Sequence, residues 1–215
     1  MAHLEAVSVG MPQQVEWGGR TLRTATAKTA VEGPVRAHRL GLEGDQVGHA
    51  DVHGGLDQAV YAYAREDLDW WEGELGQPIA SGMFAENLTT VGLDLNATVI
   101  GTRWRIGEAL FEVASVRTPC NVFKGWMGDQ GYDESQWVRR FTQALRPGPY
   151  LRVLEPGEVA AGQEIVVESV PAHGITVVDL FVALNLDRSR LPELAAIDGL
   201  AELPRRVMDE YLARG

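Results

Sequence analysis

Short apolar runs, broken every few residues by glycine, proline or aspartate, fill the first 170 positions of the chain. Leu4 to Val9, Leu22 to Ala27 and Val35 to Leu40 read as strands bounded by turn residues. From Val99 to Val116 the pattern predicts a hairpin turning at Gly107-Glu108, with Trp104, Ile106, Phe111 and Val113 available to a core. Tyr150 to Leu154 and Ile165 to Val167 predict two more strands, with a turn at Pro156-Gly157. The period becomes helical over Glu66 to Leu75, where Leu68, Trp71 and Leu75 recur before Gly76 and Pro78 stop the element. It does so again over Glu134 to Leu145, where Trp137, Phe141 and Leu145 are spaced four apart ahead of Arg146-Pro147-Gly148.

Beyond Pro171 strands give way to three short helical patterns, about Thr176 to Leu184, Leu191 to Ile197 and Pro204 to Ala213. Thr176 suits an N-cap, and Pro192 and Pro204 fall where a first helical turn tolerates proline. Each pattern is too short to be stable alone, so the three must pack on one another or on what precedes them. The expectation is a mixed α/β fold, mainly β, with one domain over residues 1–170 and a small three-helix unit over residues 171–215. No fixed-period repeat is present.

A chain of 215 residues with 45% hydrophobic and 23% charged positions has the composition of a globular protein, and no apolar run reaches membrane-spanning length. The start, Met1-Ala2-His3-Leu4-Glu5-Ala6, has neither the basic nor the apolar region of an export signal; with a single cysteine, this predicts a reducing cytoplasm. A net charge of -11 argues against nucleic-acid or anionic-membrane partners, which require clustered cations. Residues 20–39 run the other way: Arg20, Arg23, Lys28, Arg36 and Arg39 face only Glu32. That window fits a small anionic ligand or, equally, solvated side chains alternating along strands.

The only cysteine, Cys120, follows a strand-like run in Ser115-Val116-Arg117-Thr118-Pro119-Cys120-Asn121. Pro119 should end the strand, so that Cys120 opens a constrained loop. Arg117 nearby favours a thiolate, the form that attacks electrophiles or binds soft metals. A small buried hydrophobe is the other reading. Two more segments are rich in small and polar residues: Gly41-Leu42-Glu43-Gly44-Asp45 with His53-Gly54-Gly55, and Gly82 to Thr90, which sets Glu86 beside Asn87. No phosphate-loop lysine motif, dinucleotide fingerprint or paired-histidine zinc helix occurs.

In this order, Gly41-Leu42-Glu43-Gly44-Asp45, His53-Gly54-Gly55 with Asp57 and Ala59-Val60, Phe84-Ala85-Glu86-Asn87-Leu88, Arg117-Thr118-Pro119-Cys120 and Tyr150-Leu151-Arg152-Val153 resemble the MOSC family, named for the C-terminal domain of molybdenum-cofactor sulfurase. The terminal helical patterns look like the appendage of its stand-alone bacterial branch, similar to 6-hydroxylaminopurine reductase. The resemblance implies a MOSC-type β-barrel with peripheral helices that binds a molybdenum cofactor (molybdopterin-bound molybdenum). Cys120 is then the metal ligand and catalytic residue, with the pterin phosphate near Lys28, Thr29, His53, Asn87 and Arg117. It also implies reduction of a small N-hydroxylated substrate with electrons from a separate reductase. Alternatives are a carrier of persulfide sulfur on Cys120 and a non-catalytic cofactor carrier; pyridoxal phosphate lacks a convincing Schiff-base lysine. The family usually has glycine where this chain has Ala85, which matters if that position adopts a positive φ.

Overall fold

The computed structural model describes residues 1–17, 19–48 and 54–214. The strands are β1 (His3–Val9), β2 (Gln13–Trp17), β3 (Arg20–Thr24), β4 (Thr29–Ala30), β5 (Val35–His38), β6 (Gly41–Leu42), β7 (Val60–Ala64), β8 (Leu88–Val91), β9 (Arg103–Ile106), β10 (Ala109–Val116), β11 (Pro149–Glu155), β12 (Gly157–Val159) and β13 (Ile165–Ser169). The α-helices are α1 (Arg65–Leu75), α2 (Asn121–Asp129), α3 (Trp137–Ala144), α4 (Val177–Asn185) and α5 (Glu202–Leu212). A 3-10 stretch, Arg188–Ala196, stands where the second terminal helix is predicted.

Eight strands form the main sheet in the order β13-β9-β10-β11-β7-β8-β1-β4. The predicted hairpin is present as β9 and β10, which pair Ala109 with Ile106 across the turn. The Pro156-Gly157 turn is not a hairpin, because the chain resumes at once as β12 and pairs with β5 in a separate three-stranded sheet. One pairing is parallel, β7 with β8, and such a pair needs a crossover, which α1 supplies before Gly76 ends it at φ 68. The expected barrel is not closed. The sheet curls until β1 meets the start of β13, but they share only the His3–Glu164 bridge and flanking bonds such as Ile165 N–H to the Ala2 carbonyl at 2.9 Å. Because the two strands meet only at their ends, no continuous ladder completes the ring. Among the described residues no helix is long and apolar enough to cross a membrane.

The terminal helices share the core of the sheet. Val177, Leu180, Phe181, Leu191, Leu194 and Met208 belong to the same buried apolar cluster as Trp104, Phe111 and Phe141. Thr176 caps α4 as predicted, and its hydroxyl and the Asp179 carboxylate form a reciprocal capping box. Val177 and Val178 donate backbone bonds to the carbonyls of Thr98 and Asn96, and Asp57 binds both Arg152 and the Glu202 N–H at the start of α5. Each buried side chain lost from this segment costs ~1.5–3 kcal/mol. Six such losses rival the ~5–15 kcal/mol of a whole domain. Truncation after Ser169 is therefore expected to abolish cooperative thermal unfolding; a truncated chain melting as sharply as the parent would contradict this.

Candidate functional site

β10 runs out at Val116, and the chain then turns through Arg117 and Pro119 to Cys120, which is the N-cap of α2 and not the start of a loop. Its sulfur accepts the Phe123 N–H at 3.4 Å. The thiol thus sits where unpaired N–H groups and the helix dipole converge, a position that favours an anionic ligand. Half-buried, it borders a cleft also lined by Arg23, Lys28, Asp45, Tyr61, Asn87, Arg117 and Tyr150. The register of the sheet builds the floor. Tyr150 of β11 pairs with Tyr61 of β7 on one side and Ser115 of β10 on the other, setting the two tyrosine rings 5.1 Å apart.

Arg117 is 7% exposed. Its guanidinium carbon lies 4.2 Å from the Phe123 ring centroid and 4.9 Å from that of Tyr61, and one terminal nitrogen donates to the Phe84 carbonyl at 2.5 Å. Among the described residues no carboxylate forms an ion pair with it, and besides the Phe84 carbonyl only the Tyr61 hydroxyl takes one of its N–H groups. Burial opposes the charge, but Tyr61, Tyr150 and Cys120 around it more than offset that, so Arg117 remains a permanent cation. Burial pushes the Tyr61 and Tyr150 hydroxyls up, which keeps both neutral. A buried cation with donors to spare, facing a cleft, is a site for an anion.

Lys28 differs from Arg117 in being paired. It forms an ion pair with Asp45, each side chain 8% exposed. Burial pulls the lysine down, with Asp45 acting against the shift. Asp45 also accepts the Gly10 N–H at 2.8 Å and the Asn87 amide at 2.9 Å. The Asn87 amide nitrogen bonds the Ser8 carbonyl as well, and its oxygen accepts the Tyr61 N–H. Asn87 therefore lines the cleft while both of its donor hydrogens are engaged in the wall.

The turn before Asn87 ties these parts together. Phe84 presents its carbonyl to Arg117, and Met83 accepts the Trp126 indole N–H of α2 at 2.8 Å. Fully buried Glu86 takes the Gly82 N–H at 2.6 Å and the Thr89 hydroxyl on one oxygen, and burial raises its pKa. Ala85 lines the cleft with φ 61, so glycine is the residue this backbone favours. An alanine there costs ~1–2 kcal/mol. Ala85→Gly is expected to raise the melting temperature by roughly 2–4 °C, reduced by the entropy of the unfolded glycine. Calorimetry checks this, and a lower melting temperature would show that the methyl group contributes packing.

The structure brings Cys120, Arg117, Lys28 and Asn87 to one cleft. Thr29 stands apart, exposed on β4 and paired with Val9. His53 lies outside the described residues. Sequence reasoning did not pick out Tyr61, Tyr150 or Asp45 as site residues, because only the register of β7, β10 and β11 reveals what they face. Helix α2 was missed too. Its apolar Val122, Phe123, Trp126 and Met127 have helical spacing, but Gly125 and Gly128 within nine residues lower the propensity. Among the described residues no three His, Cys, Asp or Glu side chains cluster as a metal site.

Known proteins resemble the chain in sequence and in fold. The profile of the MOSC domain matches residues 49–166. The protein YflK of Bacillus subtilis is 34% identical over 174 residues, 80% of this chain and 76% of its own. YiiM of Escherichia coli is 33% identical over 141 residues, 64% of this chain and 61% of its own. The crystal structure of that YiiM superimposes with a TM-score of 0.76 at 25% identity, covering 100% of this chain and 94% of the other. YiiM from Geobacillus stearothermophilus shares the fold, with a TM-score of 0.79 at 23% identity over 98% of both chains.

Proposed function

The chain belongs to the MOSC domain family, and from that premise we propose that it is a molybdenum-cofactor-dependent oxidoreductase acting on N-hydroxylated compounds. MOSC domains are associated with molybdenum cofactor binding in general. The observation that carries the reading is Cys120 at the tip of α2, in the same cleft as the uncompensated Arg117. The donor set fits. A metal that brings its own sulfur-rich organic ligand needs one soft protein donor, and the cleft offers one thiol and no cluster of other ligands among the described residues. Arg117 would take the anionic end of the cofactor through its uncommitted N–H groups. Lys28 and Asp45 neutralise each other in the wall, so Lys28 adds little net charge there.

When bound, the group supplies two-electron exchange at the metal. In the overall reaction the N–O bond of the substrate breaks, two electrons and two protons are taken up, and the oxygen leaves as water. The chain's own share is to hold the metal through Cys120, neutralise the phosphate through Arg117, and present neutral Tyr61 and Tyr150 hydroxyls along the floor. The sequence carries no flavin or haem motif, so the electrons would come from a separate reductase. Protein made in a host that synthesises the cofactor, supplied with a chemical reductant, is expected to convert 6-hydroxylaminopurine to adenine. Loaded protein that fails to do so with any N-hydroxylated substrate would be a carrier instead.

A further inference from the structure

Strands β2 and β3 pair with each other residue for residue, Gln13 with Thr24 through Trp17 with Arg20, and with no other strand among the described residues. A two-stranded hairpin is marginally stable by itself, so its contacts decide where it rests. Both ends of this one are seated on bare glycines. A Cβ placed on Gly125 of α2 would lie 2.8 Å from Cε3 and 2.9 Å from Cδ2 of Trp17, so the indole rests where only hydrogen fits. A Cβ on Gly48 would meet the Arg23 carbonyl oxygen at 2.7 Å and the Thr24 Cα at 2.8 Å. At the Gly48 seat Arg23 and Thr24 line the cleft. One seat is on the helix that Cys120 caps, and the other is on the Asp45–Gly48 side, so the hairpin reaches from wall to wall. Trp17 is half-buried and stands outside the continuous core, which leaves its docking a local contact.

We propose that the β2–β3 hairpin is a strap across the cleft, and that the docking of Trp17 on Gly125 determines how large a molecule can reach Cys120. A small reactant passes with the strap seated, whereas a bulky one waits for a local opening whose frequency depends on the Trp17 contact. This does not depend on which cofactor the cleft holds. Because Cys120 is the only cysteine, thiol labelling of the full chain without cofactor reports access directly. Iodoacetamide and a fluorescein maleimide are compared on the parent, Gly125→Val and Trp17→Ala. Unseating the strap is expected to speed the maleimide about tenfold or more while iodoacetamide changes by less than about twofold. Trp17→Ala alone decides the matter if Gly125→Val does not fold. Unchanged maleimide rates would overturn the proposal, and so would equal acceleration of both reagents, which would signify general loosening.

Discussion

Cys120→Ser is expected to remove bound molybdenum and reductase activity together while leaving the fold intact. The sulfur makes one weak bond in the protein, accepting the Phe123 N–H at 3.4 Å, and serine is among the preferred N-cap residues. The melting temperature of the cofactor-free protein should therefore stay within about 2–4 °C of the parent, the shift that ~1 kcal/mol produces in a chain of this size. Metal binding has no such tolerance, because a serine hydroxyl is a hard donor that stays protonated at neutral pH, where a thiol yields a soft thiolate. Metal content, activity and calorimetry on one preparation separate these effects. A serine variant that reduces 6-hydroxylaminopurine at the parent's rate would remove the metal-ligand role.

Arg117→Met is expected to have the next largest effect, and mainly on the loaded protein. Methionine keeps much of the volume between the Phe123 and Tyr61 rings but leaves the cleft without its buried, unpaired cation. A charge-assisted contact to a phosphate is worth ~1.5–3 kcal/mol, so losing one weakens cofactor retention about tenfold to a hundredfold. The cofactor-free protein loses a buried charge that was costly to desolvate, along with two ring contacts and the bond to Phe84, and these changes oppose one another. The stabilisation gained on loading should shrink more than the stability of the empty chain. If the empty chain unfolds and loading still restores the full increment, Arg117 is a structural cation. Lys28→Ala should behave in the reverse way, since it strands buried Asp45 without its partner, a loss of ~3–5 kcal/mol.

Where a local signal was strong, the sequence was readable. The β9–β10 hairpin follows from apolar residues around Gly107-Glu108, α1 from Leu68 and Trp71 before Gly76, and the start of α4 from Thr176. Cys120, Arg117 and Asn87, marked by the order of motifs, and Lys28, marked by the basic window, meet in one cleft that no spacing along the chain indicates. What could not be read depends on distant partners. Nothing local says that Asp45 will claim Lys28, that Asn87 will spend its amide on Ser8 and Asp45, or that Tyr61 and Tyr150 will meet across two strands. The open ring is of the same kind, since closure depends on how far β1 and β13 overlap. Ala85 lies between the two cases. Its departure from the glycine usual in the family was visible, and its φ of 61 shows what that glycine accommodates.

Metal and pterin analysis of the chain purified from a host that makes the cofactor, beside Cys120→Ser prepared identically, decides whether Cys120 holds molybdenum. Stoichiometric molybdenum and pterin are expected in the parent and no molybdenum in the variant. Parent protein that contains neither, while carrying cyanide-releasable sulfur on Cys120, would contradict this and identify the thiol as a sulfur carrier.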